Sequence, residues 1–147
     1  MLNTINKRGF TLIELLVVIA IIGVLASVVF ASLNIARDKG ADAGVKSNLR
    51  GVRDHAALYY DTSGNTYTGV CLETNVVNAL LSSQSLVSGI PTLGAFGDGE
   101  CVDSNSAYAI WVNLKSASTT AYCVDAVMGT KIIPAQDSSA VDLLVCP

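Results

Sequence analysis

The residue that most constrains the chemistry of this chain is Glu14, the single charged residue in the 24 positions from Phe10 to Leu33. At about 1.5 Å per residue, a helix over this stretch is roughly 36 Å long, enough to cross a bilayer core of about 30 Å. A carboxylate inside such a helix costs at least about 2.5 kcal/mol by insertion scales. We therefore expect a cation to neutralise Glu14 in the environment where the helix functions.

Four cysteines form a second set of reactive residues, and all of them follow the apolar stretch: Cys71, Cys101, Cys123 and Cys146. None belongs to a C-x-x-C pair and the chain has a single histidine, so no zinc site is expected. An even number in a small exported domain favours disulfides over free thiols. Among the possible pairings we favour the sequential one, Cys71–Cys101 and Cys123–Cys146, because both loops are then local.

The single histidine, His55, lies beside Asp54 on a segment with helical periodicity. A catalytic role would require a nucleophile and an oxyanion site, and neither is recognisable in the sequence. We therefore expect His55 to be a surface residue, and we expect no catalytic residue, no cofactor and no enzymatic activity.

Acidic and amide side chains surround the second cysteine: Asp98, Glu100, Asp103 and Asn105. Their spacing does not match the calcium-binding loop of an EF-hand. The expectation is a solvated acidic loop without a metal, and calcium binding is the alternative.

The aromatic residues beyond the apolar stretch are expected to pack in a core or on a sheet face: Tyr59, Tyr60, Tyr67, Tyr108, Trp111 and Tyr122. Binding of a surface or of nucleic acid by exposed members of this set is the alternative. Nucleic acid is not expected as the main partner, because eight acidic residues follow Tyr60 and only Lys115 and Lys131 are basic there.

The segments that position these residues divide the chain into four parts. Residues 1–9 are short, polar and basic, residues 10–33 are apolar, residues 34–60 continue as an amphipathic helix, and residues 61–147 form a head. Apolar residues in the third part recur at spacings of three and four, which predicts one buried stripe: Ala41, Val45, Leu49, Val52, Ala56 and Tyr59 or Tyr60. Asp42 and Lys46 have the spacing of an i,i+4 ion pair.

The head has the signals of a short helix and a small antiparallel sheet. Turn residues at 61–65 end the long helix, residues 75–87 read as a second helix, and residues 88–99 read as a loop. Strands are predicted at 107–114, 121–127 and 131–133, with a turn at 128–130. The predicted fold class is α+β, a long N-terminal helix whose second half packs on the sheet.

The segment Lys7-Arg8-Gly9-Phe10-Thr11-Leu12-Ile13-Glu14-Leu15 resembles the signal of bacterial type IV pilins and type II secretion pseudopilins. The resemblance covers about 25 residues in sequence and the remainder in layout only. It implies that a prepilin peptidase cuts between Gly9 and Phe10 and methylates Phe10, so that residues 1–9 are a removable leader. Many members also carry a helix-kinking proline near the end of the apolar stretch, whereas this chain has Phe30-Ala31-Ser32 there.

The resemblance also implies a partner for Glu14, because cleavage turns the Phe10 amide into an amine. In a helical filament, Glu14 of one subunit would neutralise the Phe10 amine of a neighbouring copy. The implied partners are copies of the same chain, the peptidase, the membrane before assembly and an assembly platform, with nucleic acid only as filament cargo. The implied location is the cytoplasmic membrane with the head outside, followed by an extracellular pilus or a periplasm-spanning pseudopilus.

Three alternatives remain open in the sequence. The chain could be a pseudopilin of a type II secretion or competence system, or a membrane-anchored binding domain that never polymerises. An ordinary signal peptide is the third, although its apolar core is usually roughly 7–15 residues and carries no acid.

Overall fold

The structure of the protein is a computed structural model, and it describes residues 9–89, 99–127, 129–135 and 146. Its longest element is α1 (Leu12–Thr62), which contains both the apolar stretch and the amphipathic segment. The chain divides into two compact units at Ala36, so α1 contributes its first half to one unit and its second half to the other. The leader and the segment before Cys146 lie outside the described residues.

The second half of α1 buries the face that the periodicity predicts. Its buried residues are Asp42, Val45, Leu49, Val52 and Ala56. Gly64 and Asn65 have positive φ values of 77° and 62°, which is the left-handed conformation that turns the chain away from a helix end. The helix therefore ends at Thr62 for a local reason.

A second helix, α2 (Thr74–Ser88), follows a 3₁₀ turn at Val70–Leu72. The carboxylate of Glu73 accepts hydrogen bonds from the amides of Asn75 and Val76 and so caps its first turn. At its other end, Gly89 adopts the left-handed conformation with φ of 78°. The helix predicted at 75–87 is confirmed.

The sheet has four antiparallel strands in sequential order: β1 (Gly99–Asp103), β2 (Tyr108–Asn113), β3 (Thr120–Asp125) and β4 (Thr130–Pro134). One face packs on the two helices and buries Tyr108, Ile110, Val112, Tyr122 and Val124. The opposite face buries a smaller cluster of Ala109, Trp111, Ala121, Cys123, Ile133 and Cys146. The α+β architecture is confirmed.

The acidic segment around Cys101 is a strand rather than the expected solvated loop. Residues 99–103 pair with 108–112, and a Cβ added to Gly99 would lie 2.6 Å from the carbonyl oxygen of Trp111. Pairing with β2 supplies hydrogen-bond partners to the backbone of this segment. The carboxylate of Asp103 accepts a hydrogen bond from the amide of Gly69 at 2.6 Å. The interpretation of this segment as a loop was therefore wrong, and Asp98 lies outside the described residues.

Both disulfides of the head follow the sequential pairing. Cys71 is bonded to Cys101 across 30 residues, and Cys123 is bonded to Cys146 across 23 residues. Loops of this size stabilise a folded chain by about 3–4 kcal/mol each in the chain-entropy model. The first bond links the 3₁₀ turn to β1, and the second links Cys146 to β3.

Asp42 does not act as a surface partner for Lys46. Its carboxylate is 6% exposed and accepts hydrogen bonds from the amides of Lys115 and Ser116, at 2.6 and 3.3 Å, and from the Ser116 hydroxyl. These bonds attach α1 to the turn between β2 and β3. The prediction of an i,i+4 ion pair between Asp42 and Lys46 was wrong, because the Asp42 carboxylate binds the amides of Lys115 and Ser116 instead.

Replacing Asp42 with alanine is expected to lower the free energy of unfolding by about 2–3 kcal/mol, because two turn amides lose a charged acceptor. Trp111 is the single tryptophan and is buried on β2, so its fluorescence reports unfolding of the head in denaturant. Asp54→Ala is the matched control, since Asp54 is an exposed residue of the same helix. Equal stability of the two variants would contradict this role of Asp42.

Candidate processing and assembly site

The start of α1 forms a reciprocal hydrogen-bonded cap from Thr11 and Glu14. The Glu14 carboxylate accepts hydrogen bonds from the Thr11 amide at 2.9 Å and from the Thr11 hydroxyl at 2.8 Å. The Thr11 hydroxyl oxygen accepts in turn from the Glu14 amide at 3.3 Å. This is a capping box, which satisfies amides that have no partner within the helix.

Thr11 is the residue of this site that the functional interpretation of the sequence missed. The signal was present, because Thr11-Leu12-Ile13-Glu14 has the T-x-x-E spacing of a capping box before an apolar run. The cap gives Glu14 a defined position at the end of the helix. In the isolated subunit it also gives the carboxylate hydrogen-bond donors without neutralising its charge.

Phe10 and Glu14 lie on the same side of the chain. Together with Ile13, Val17 and Val18 they line a shallow apolar groove along the first turns of α1. The phenyl ring of Phe10 is 83% exposed, so a neighbouring molecule can reach it. Gly9, the residue before it, is also exposed. The structure thus places both residues of the expected cleavage position and the expected assembly carboxylate at one accessible end.

Among the described residues of its unit, the apolar stretch after this site has no packing partner. The large apolar side chains from Phe10 to Ile35 have exposed fractions between 42% and 83%. Among the described residues, one helix is long and apolar enough to cross a membrane, with a mean hydropathy of 3.0 over its most apolar 18-residue window. Soluble proteins rarely expose continuous apolar surface of this size, so lipid or other protein chains must cover it.

The other candidate residues of the sequence lie in the second half of α1 and in the head. His55 is exposed and borders a small groove with Glu73 and Asn75. Within the described ranges, no three His, Cys, Asp or Glu side chains converge on a common point as metal ligands would.

The aromatic residues pack as expected rather than forming an exposed platform. Tyr108, Trp111 and Tyr122 are buried, while Tyr60 and Tyr67 stack with ring centroids 4.6 Å apart. Burial, reinforced by the neighbouring Tyr67, raises the pKa of the Tyr108 phenol well above its ordinary value. The phenol therefore remains neutral at physiological pH.

The chain thus combines an exposed apolar helix, a capped acidic first turn and a small disulfide-bonded head. The prokaryotic N-terminal methylation motif matches residues 5–30 of the chain. The chain is 43% identical over 63 residues to the type IV wide pilus major component PilA4 of Thermus thermophilus, covering 43% of this chain and 47% of that protein.

Two proteins from Neisseria align with more of the chain. Identity to a fimbrial protein of Neisseria meningitidis serogroup B is 29% over 145 residues, covering 92% of this chain and 83% of that protein. Identity to the type IV major pilin protein PilE1 of Neisseria gonorrhoeae is 30% over 131 residues, covering 83% of this chain and 59% of that protein. The alignment with the Thermus protein, by contrast, spans about half of that protein's length. No solved structure gives a significant match.

The motif and these relatives make the chain similar to type IV pilins and fimbrial proteins. Type IV pilins are structural subunits rather than enzymes. A membrane-anchored precursor is consistent with the prepilin signal and with the exposed apolar half of α1.

Proposed function

We propose that the chain is the precursor of a type IV pilus subunit that polymerises through the N-terminal half of α1. The observation that carries this proposal is the exposed apolar stretch of α1, with a single carboxylate held at its start by Thr11. Lipid covers the stretch while the subunit is stored in the cytoplasmic membrane with its head outside. Other copies of the chain cover it in the filament, where contacts that repeat without closing generate a helix.

Processing supplies the positive charge that Glu14 lacks in the precursor. Prepilin peptidase cuts after Gly9, which removes residues 1–9 and leaves an N-methylated ammonium group on Phe10. In a water-free filament core, that cation of one subunit pairs with the Glu14 carboxylate of its neighbour, and the pair is stronger there than in water. Cleavage therefore controls assembly, because an uncut chain has no cation at this position.

The proposed division of the chain follows from these roles. Residues 1–9 are the leader, residues 10–33 the membrane and filament-core segment, residues 34–60 the amphipathic half of the helix, and residues 61–147 the head. The two disulfides stabilise the head outside the cytoplasm, where thiols are oxidised. An assembly platform extracts the subunit, and nucleic acid enters only as cargo of the finished filament.

The relatives are a wide pilus component and fimbrial proteins, which favours a pilus over a secretion pseudopilus. Surface filaments are expected in cells that produce the chain, and antibodies to the head should label them along their length. Deletion of the gene for this chain, followed by parallel assays of motility, transformation and protein secretion, distinguishes a pilus from a secretion pseudopilus. Loss of secretion without loss of surface filaments would favour the pseudopilus.

Mass spectrometry of the mature chain is expected to show a start at N-methylated Phe10. Gly9→Ile is expected to leave the leader attached, because a β-branched side chain then adjoins the bond that is cut. A mature start near Ser32 would instead identify an ordinary signal peptide and would contradict the proposal.

A further inference from the structure

Four basic side chains form a line along the second half of α1: Lys39, Lys46, Arg50 and Arg53, called here the basic stripe. Their spacings of seven, four and three residues place them within about 60° of the helix circumference. Lys39, Arg50 and Arg53 are exposed and Lys46 is half-buried. The stripe lies beside the buried face of the helix and not within it.

Within the described residues, no carboxylate neutralises the charges of the basic stripe. Arg50 donates a hydrogen bond from Nε to the Tyr122 hydroxyl at 3.1 Å, and the Arg53 guanidinium lies beside Gly129. In the part of the chain that the structure describes, no carboxylate pairs with any of the four. The stripe therefore presents positive charge to a partner.

The complementary charge lies further along the same helix, on Asp54 and Asp61, which are both exposed. Asp54 follows Lys46 by eight residues, and Asp61 follows Arg53 by eight residues. A parallel copy displaced by eight residues, about 12 Å along the helix axis, would oppose both pairs at once. We propose that the basic stripe is a contact surface for a second copy of this chain, whose Asp54 and Asp61 engage Lys46 and Arg53.

This contact rests on the proposed filament, in which parallel copies are already gathered by their apolar segments. A polyanion is the less favourable occupant, because residues 54–147 carry nine acidic and two basic side chains and repel phosphates. Charge complementarity between copies fixes the register of association and excludes other registers. The stripe thus fixes the position of one copy relative to its neighbour along the helix axis, which an apolar helix surface does not do.

The test is a charge exchange in the full-length chain, read as the yield of filaments sheared from cells. Arg53→Glu and Asp61→Arg are each expected to lower the yield at least about tenfold, because attraction becomes repulsion between neighbours. The double variant restores the opposite pairing and is expected to recover most of the wild-type yield. Lys131→Glu has the same charge change as Arg53→Glu on an exposed β4 residue off the stripe, and should leave the yield unchanged.

Trp111 fluorescence and the absence of free thiols verify that each head is folded. If Arg53→Glu does not fold, the exchange of Lys46→Glu with Asp54→Lys is used in place of the exchange of Arg53→Glu with Asp61→Arg. Wild-type yield in Arg53→Glu, or no recovery in the double variant, would overturn the contact alone. Loss of duplex DNA binding in Arg53→Glu with unchanged filament yield would identify a nucleic-acid site instead. If the wild-type chain forms no filaments, the proposed function fails together with this contact.

Discussion

Replacing Glu14 with glutamine is expected to abolish filament formation while cleavage after Gly9 and membrane insertion proceed normally. Glutamine retains the side-chain oxygen that a capping box requires, so the bond from the Thr11 amide can persist. What disappears is the negative charge that faces the Phe10 ammonium of a neighbour. Removing one partner of a buried ion pair costs about 3–5 kcal/mol, which lowers an association constant at least about a hundredfold.

Thr11→Val is the matched control for Glu14→Gln, because it removes the capping hydroxyl and leaves the carboxylate. Loss of an N-cap side chain costs about 1 kcal/mol, so filaments should form at a reduced yield. Electron microscopy of sheared filaments and mass spectrometry of membrane-bound subunits give assembly and cleavage in the same cells. Filaments of Glu14→Gln at the wild-type level would show that the charge pair is not required.

Replacing Asp125 with alanine is expected to lower the free energy of unfolding of the head by about 3–4 kcal/mol. The Asp125 carboxylate is 1% exposed and accepts hydrogen bonds from the amides of Val127 at 2.9 Å, Gly129 at 3.1 Å and Cys146 at 2.7 Å. It therefore holds the turn between β3 and β4 and the cysteine that closes the second disulfide. Without the carboxylate, buried amides lose a charged acceptor.

Two measurements test the role of Asp125. Denaturant unfolding followed by Trp111 fluorescence gives the stability, and thiol titration under native conditions gives the fraction of chains in which Cys123–Cys146 has not formed. We expect free thiols to increase in Asp125→Ala, because the Cys146 amide is no longer held beside β3. Asp61→Ala is the control on an exposed carboxylate, and an equal effect of both changes would contradict the prediction.

The basic stripe and the site at Phe10 to Glu14 divide the proposed assembly between two kinds of force. Apolar burial along the first half of α1 is strong and non-directional, so it brings helices together in many registers. Charged pairs are weaker at an exposed surface, but they distinguish one register from its neighbours. Filaments are therefore expected to loosen at high salt before they dissociate.

The sequence by itself determined the elements that depend on local pattern. The apolar run, the three- and four-residue spacing after it and the turn residues at 61–65 determine α1, because helix periodicity and turn chemistry are properties of neighbouring residues. The T-x-x-E cap and the methylation motif are also contiguous, so the candidate site could be read before any tertiary contact was known.

Tertiary structure alone decided the features that join distant segments. β1 lacks a strong strand pattern and forms because β2 supplies its hydrogen-bond partners, with Gly99 at a close approach to Trp111. Asp42 and Asp125 read as ordinary acidic residues, yet each is buried as the acceptor for amides of another segment. Local pattern cannot reveal such roles, because burial of a carboxylate depends on donors that only the folded chain brings within reach.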